Sequence, residues 1–169
     1  SLGMEWDESI APVQDLCYEE RLALRVQLER GLNAPPTSSL GRLFDAAAAL
    51  TGVRQRVNYE AQAAMEFESA LDEAESGAYR FEIQSGTINP KAAITALLED
   101  LHNGISIPVM SARFNNGLAE LARTVCDAIR RETGVTEVAL SGGVWQNMEL
   151  LARAIRGLRA DGFTVYIHR

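Results

Sequence analysis

The stretch Glu137-Val138-Ala139-Leu140-Ser141-Gly142-Gly143-Val144-Trp145-Gln146-Asn147 decides how this chain is read. Its first four residues form an apolar, β-leaning run, and a helical pattern follows from Met148 to Arg159. A glycine pair at a strand-to-helix junction lets the backbone come close to a ligand, because neither residue has a Cβ to obstruct it. N–H groups at the start of the next helix suit an anion such as phosphate. A tight turn with no ligand fits the same local pattern, and Gly-Gly alone does not choose between the two. Beyond the helix, Phe163 to Ile167 is a second short apolar run. Strands at Val135–Leu140 and Phe163–Ile167, joined by a helix from Gln146 to Ala160, predict a right-handed βαβ unit with parallel strands.

Upstream, the pattern is mostly helical. Apolar residues at Val13, Leu16, Cys17, Leu22, Leu24, Val26 and Leu28 predict one long amphipathic helix from Ala11 to Gly31, with Pro12 in its first turn. Pro35-Pro36 end it, and Thr37, Ser38 and Ser39 offer N-caps for a second helix that closes at Gly52. Its buried stripe is Leu40, Leu43, Phe44, Ala47 and Leu50. Asn58 is read as the cap of a third helix, Tyr59 to about Ala74, with Ala61, Ala64, Met65 and Leu71 turned inward. Alternation in Ala78-Tyr79-Arg80-Phe81-Glu82-Ile83 predicts a half-buried strand. Asn89-Pro90 opens a fourth helix, and Pro108 opens a long fifth one through Arg131, stopped by Gly134.

The 169 residues are enough for one large domain or part of a larger one, and 47% hydrophobic with 23% charged is an ordinary globular balance. The net charge of −7 argues against a broad surface for nucleic acid or anionic membrane. Cys17 and Cys126 have neither metal spacing nor a disulfide framework, which makes the cytoplasm the expected compartment and core thiols the expected role. No apolar run is long enough to cross a bilayer. Residues 1–10 read as a tag or an upstream linker remnant, and residues 11–169 as an incomplete domain. The chain ends on a strand with nothing after it to cover the sheet, so it reads as an excised piece.

Thr37-Ser38-Ser39-Leu40-Gly41-Arg42-Leu43-Phe44-Asp45-Ala46, followed by Tyr59-Glu60-Ala61-Gln62-Ala63-Ala64, resembles the HypF carbamoyltransferase family. So does Ser141 to Asn147 with Phe163 to Arg169 behind it. The matches keep the family's order from about Asp15 onward. The resemblance implies a helix-rich α/β fold: the second lobe of a TsaD-like domain of the actin, sugar-kinase and heat-shock ATPase (ribonuclease H-like) superfamily. It also implies a fragment of an enzyme, inactive alone, acting in nickel–iron hydrogenase maturation. In the whole protein a YrdC-like domain makes carbamoyl adenylate from carbamoyl phosphate and ATP. The lobe pair then transfers the carbamoyl group to the C-terminal cysteine of the partner protein HypE.

The same resemblance implies a nucleotide-binding set of Gly41, Arg42, Asp45, Glu60, Gly142, Gly143 and Asn147, and assigns no catalytic residue. Arg42 suits a phosphate or carboxylate and equally a surface salt bridge, and Glu60 suits a helix-capping role equally well. Zinc or iron is implied for the whole protein. Its ligands lie in an upstream His-rich motif and a downstream Asn-Asp-Gly-Gly stretch, neither of which occurs in this sequence, so no metal is expected on the chain. His102 and His168 are unlinked. Asn115 stands where the family commonly has histidine. An isolated lobe would also expose the face that meets the missing first lobe, which favours association between copies. Two alternatives remain: a TsaD-like tRNA threonylcarbamoyl transferase, which the acidic balance disfavours, and a helical interaction module without chemistry.

Overall fold

The computed structural model describes residues 6–167. His168, Arg169 and the first five residues of the expected upstream remnant lie outside the described residues. The chain divides into two compact units, Ser1–Phe67 and Glu68–Arg169.

The first unit holds α1 (Ala11–Gln14), α2 (Tyr18–Arg30) and α3 (Leu40–Leu50), and α4 (Gln62–Ser69) begins in it. The single helix expected from Ala11 to Gly31 is therefore two. Cys17, in an extended conformation between them, gives its backbone N–H to the Glu20 carboxylate at 2.8 Å. Of the expected apolar stripe only Val13 is buried, and α2 buries none of its residues. The reason is geometric: Leu22, Leu24, Val26 and Leu28 recur every second residue, in steps of roughly 200° around the helix, and cannot share one face. Cys17 is exposed and Cys126 half-buried, so neither is a core thiol.

Helix α3 follows its reading more closely. Ser39 is the N-cap, its Oγ accepting from the Arg42 N–H at 3.4 Å, and Phe44, Ala47 and Ala48 are buried. Helix α4 is shorter than expected, because Ala61 has φ +63° and the helix starts only after it. The buried side is Gln62, Ala63 and Phe67, while Met65 is exposed. Asn58 does not cap with its side chain. Its backbone N–H donates to Gln62 Oε1 at 2.8 Å, Gln62 Nε2 donates to Glu66 at 3.0 Å, and Glu66 holds the Arg54 guanidinium by two bonds of 2.6 and 2.7 Å. Side-chain hydrogen bonds to Arg54 and then Gln62 keep the Glu66 carboxyl below its usual range.

The second unit contains β1 (Glu82–Gln84), β2 (Thr87–Asn89), α5 (Lys91–His102), α6 (Ile107–Thr133), β3 (Glu137–Leu140), a 3-10 turn (Gly143–Gln146), α7 (Met148–Ala160) and β4 (Thr164–Ile167). β3 and β4 pair in parallel, Glu137 opposite Thr164 through Leu140 opposite Ile167. This is the expected βαβ unit, with the Gly142 turn at the C-terminal end of β3. β1 and β2 form a separate antiparallel hairpin across Ser85-Gly86, both with positive φ, as a two-residue turn that matches strand twist requires.

Only the end of the expected Ala78–Ile83 strand is strand. Its earlier part runs against α6 instead, where the Tyr79 N–H donates to the Arg113 carbonyl at 3.0 Å. Gly117 makes that approach possible: a Cβ there would lie 2.1 Å from the Tyr79 carbonyl oxygen. The first half of α6 is the core of this unit, burying Met110, Ala112, Phe114 and Leu118 together with Ser111 and Asn115. Helix α7 packs along α6 and buries Leu150, Ala154 and Leu158, spaced one turn apart. Further along, Arg123 grips the Asp161 carboxylate with two bonds of 2.7 and 2.8 Å, and Arg130 lies over the Phe163 ring at 4.3 Å.

Two stability outcomes follow from these backbone constraints. Gly117→Ala should lower the urea midpoint by an amount equal to roughly 3 kcal/mol, because backbone must move to admit the methyl group. An unchanged midpoint would show that the Tyr79 segment does not sit this close. Ala61→Gly should raise stability by about 0.5–1 kcal/mol, since glycine accepts the left-handed conformation that alanine adopts at a cost; a lower midpoint would contradict the turn.

Candidate functional site

The turn after β3 is set by its backbone. Gly142 has φ +101° and ψ 166°, a conformation L side chains rarely adopt, so glycine is required there. Gly143 is different: a Cβ on it would meet no protein atom within 4 Å. A Cβ on Gly41 would likewise meet only Ser39 Oγ, at an ordinary 3.6 Å. The protein's own packing demands glycine at neither position. The 3-10 turn closes with Trp145 N–H donating to the Gly142 carbonyl and Asn147 N–H donating to the Val144 carbonyl, each at 3.2 Å.

Asn147 ends the turn as N-cap of α7, its Oδ1 accepting from the Leu150 N–H at 2.7 Å. Its Nδ2 donates to Asn115 Oδ1 at 3.0 Å, and Asn115 Nδ2 donates to the Ser111 carbonyl at 2.9 Å. The Glu149 N–H donates to the Glu68 carboxylate at 3.1 Å. Two N–H groups of the first turn of α7 are therefore satisfied from within the protein. The expectation that this helix start offers itself to a phosphate is corrected to that extent. The open backbone is that of the glycine pair, one turn earlier.

A second, half-buried polar group lies on the same stretch of α6. Asn116 Nδ2 donates to the carbonyls of Glu75 and Gly77 at 3.1 and 2.8 Å, and its Oδ1 accepts from Arg153 of α7 at 2.5 Å. Asp100 accepts from the Tyr79 hydroxyl and from Arg113, each at 2.7 Å. Burial first, and then the bond to Asp100, push the Tyr79 hydroxyl far above its usual range, so it remains a proton donor to that carboxylate. The buried Ser111 and Asn115 and the half-buried Asn116 and Arg153 are not legible in the sequence as one polar network. The available signal was two adjacent asparagines inside a long helical pattern, where asparagine is poorly suited unless its amide has a partner.

In the first unit, Gly41, Arg42 and Asp45 share the start of α3. Arg42 Nη1 pairs with Asp45 Oδ2 at 3.0 Å, with the Arg42 side chain 65% exposed. The surface salt bridge is thus formed, a contact worth at most about 1 kcal/mol. The remaining guanidinium N–H groups are still able to meet an anion. Glu60 is exposed and immediately precedes the strained Ala61. The seven expected residues therefore fall into two sets: Gly41, Arg42, Asp45 and Glu60 in the first unit, and Gly142, Gly143 and Asn147 in the second. Among the described residues no group of three or more His, Cys, Asp or Glu side chains could hold a metal. The described residues therefore form no ligand set that fits the zinc or iron implied for the whole protein. No helix among the described residues is long and apolar enough to cross a membrane.

The family model for the carbamoyltransferase Kae1-like domain, second subdomain, matches residues 2–169. The carbamoyltransferase HypF of Rhizobium leguminosarum bv. viciae is 38% identical over 141 residues, covering 82% of this chain and 18% of that protein. That of Synechocystis is 32% identical over 146 residues, covering 83% and 18%. A crystal structure of full-length HypF in a phosphate- and nucleotide-bound form superposes with a TM-score of 0.88 at 39% identity, over 93% of this chain and 21% of that one. HypF of T. kodakarensis gives 0.71 at 30% identity. The chain thus spans about a fifth of the length of these relatives. Helix-rich architecture, the parallel βαβ unit with its glycine turn, and these matches agree: the chain belongs to the HypF carbamoyltransferase family, as the second subdomain of its Kae1-like domain.

Proposed function

We propose that this chain supplies one wall of a site that transfers a carbamoyl group from carbamoyl adenylate to the C-terminal cysteine of HypE, within a longer cytoplasmic protein that matures nickel–iron hydrogenase. The missing first lobe and the YrdC-like domain of the same protein complete the machinery, and any zinc or iron is held by residues outside this chain. Alone, the chain is inactive and binds ATP weakly. The exposed Tyr18, Leu22 and Leu28 of α2 suit a surface covered in the whole protein or between copies of the chain.

The observation that carries this reading is the contrast between Gly142 and Gly143. Backbone conformation explains the first and leaves the second unexplained by anything in the protein itself. A glycine with free space above it is what close approach of a nucleotide requires. Gly41 meets the same test, and Arg42 is placed to meet a phosphate. We assign Gly41, Arg42, Asp45 and Glu60, and Gly142, Gly143 and Asn147, to contacts with the adenylate. In the transfer, the acceptor thiolate forms a C–S bond to the carbamoyl carbon. The C–O bond to the phosphate breaks and AMP leaves with the electron pair. The thiol proton is lost to solvent or to a base outside this chain. The adenylate is a mixed anhydride that water destroys, so what this wall contributes is fit and exclusion of water rather than acid–base chemistry. The tRNA-modifying alternative has less support: the family match is to HypF, and the net charge of −7 suits a protein acceptor better than RNA.

Replacing Gly143 by valine in the full-length enzyme tests this. Space above the residue means folding stability should fall by less than about 1 kcal/mol. Carbamoyl transfer should drop at least tenfold, while carbamoyl-phosphate-dependent exchange of pyrophosphate into ATP at the YrdC-like domain continues. Normal transfer by the valine enzyme would remove the turn from the site.

A further inference from the structure

We infer that Asn115 is a positioning residue: through Asn147, it fixes the orientation of the Gly142-Gly143 turn. The inference rests on the transfer reading above and adds a residue that touches no substrate. Asn115 is fully buried in the middle of α6. Its partner Ser111 offers a backbone carbonyl, which can only accept. The Asn115 amide must therefore turn its nitrogen toward Ser111 and its oxygen toward Asn147. Asn147 must in turn present its nitrogen to Asn115. That leaves Asn147 Oδ1 for the Leu150 N–H, the capping bond of α7. One carbonyl in the core thus dictates, through two amides, which way round Asn147 sits.

The end of this chain of bonds is the last residue of the turn. Asn147 closes the 3-10 segment through its own N–H to Val144, and that segment begins at Gly143. A shift of Asn147 displaces the glycine edge directly. A cap alone does not need this arrangement, since serine or aspartate would cap α7 without reaching into the core. A buried asparagine inside a helix is poorly suited to its place unless its amide is used. Here the use is a tether between the rigid core helix and the turn.

The test uses the full-length enzyme with Asn115→Leu, Asn147→Ser and the double variant. Leucine keeps the volume and removes both amide bonds. Serine keeps a side-chain oxygen for the Leu150 N–H and is too short to reach Asn115, so it cuts the tether while sparing the cap and covers the case in which Asn115→Leu fails to fold. Three readouts are needed: carbamoyl transfer to the acceptor cysteine, carbamoyl-phosphate-dependent pyrophosphate exchange, and amide hydrogen exchange of the peptide 141–146. Each single variant should lose transfer roughly tenfold, the effect of the one buried bond between Asn115 and Asn147 that both variants remove. The double variant should lose no more than either single, and pyrophosphate exchange should be unchanged. Peptide 141–146 should exchange faster while the central peptides of α6 and α7 keep their protection. Wild-type transfer by Asn147→Ser would overturn the inference. So would losses that multiply in the double variant, or loosening that spreads through α6 and α7, which would make Asn115 a packing residue only. A wild-type enzyme that exchanges pyrophosphate and never loads the cysteine would instead overturn the transfer reading. The hydrogen-exchange arm would then still decide whether the tether holds the turn.

Discussion

A buried amide must be paired, and in the second unit this requirement falls on the middle of α6. Ser111 and Asn115 are buried among Met110, Ala112, Phe114 and Leu118, where water cannot serve them, and Asn116 beside them is half-buried. Asn115 and Asn116 each reach a partner in another segment. Asn116 took the carbonyls of Glu75 and Gly77 and a donor from Arg153, which ties the chain before β1 and helix α7 to one point. Asn115 took the end of the glycine turn. Two residues further on, Gly117 admits the Tyr79 backbone. Apolar burial supplies most of the free energy that holds α7 against α6, but it is non-directional. The amides decide register and the orientation of the turn.

The turn shows how one short sequence divides labour between folding and function. Gly142 answers to the backbone, Gly143 to space outside the protein, and Asn147 to the core. The start of α7, where an anion would ordinarily be expected, is satisfied by Asn147 and Glu68. In the proposed site a phosphate would meet the edge of the glycines in place of a helix terminus.

The sequence was informative where side-chain periodicity and backbone demands pointed the same way. β3, α7 and β4 were readable because apolar runs, a glycine turn and a 3.6-residue stripe follow each other at βαβ spacing. Ser39 was readable as a cap. The α2 region misled because apolar content was taken for an apolar face, although Leu22, Leu24, Val26 and Leu28 recur with a strand-like period. Periodicity overextends α4 because nothing in Ala61 announces its positive φ. The Tyr79 segment was taken for a strand since alternation does not reveal whether the partner is another strand or a helix carrying Gly117. The two glycine-bearing stretches assigned to the proposed site are visible in the sequence. The Asn115–Asn147 link is not, because its partners are 32 residues apart and helix propensity argues against both asparagines of α6.

The central proposal is that the Gly142-Gly143 turn of the second unit contacts the nucleotide, and that Gly41 to Asp45 of the first unit does so as well. Amide hydrogen exchange of the full-length protein, with and without a non-hydrolysable ATP analogue, addresses it most directly. The account predicts slower exchange on nucleotide binding in the peptides that contain Gly41–Asp45 and Gly142–Asn147, and no change in the hairpin Glu82–Asn89. Protection confined to the YrdC-like domain, with both glycine stretches exchanging at their free rates, would contradict it.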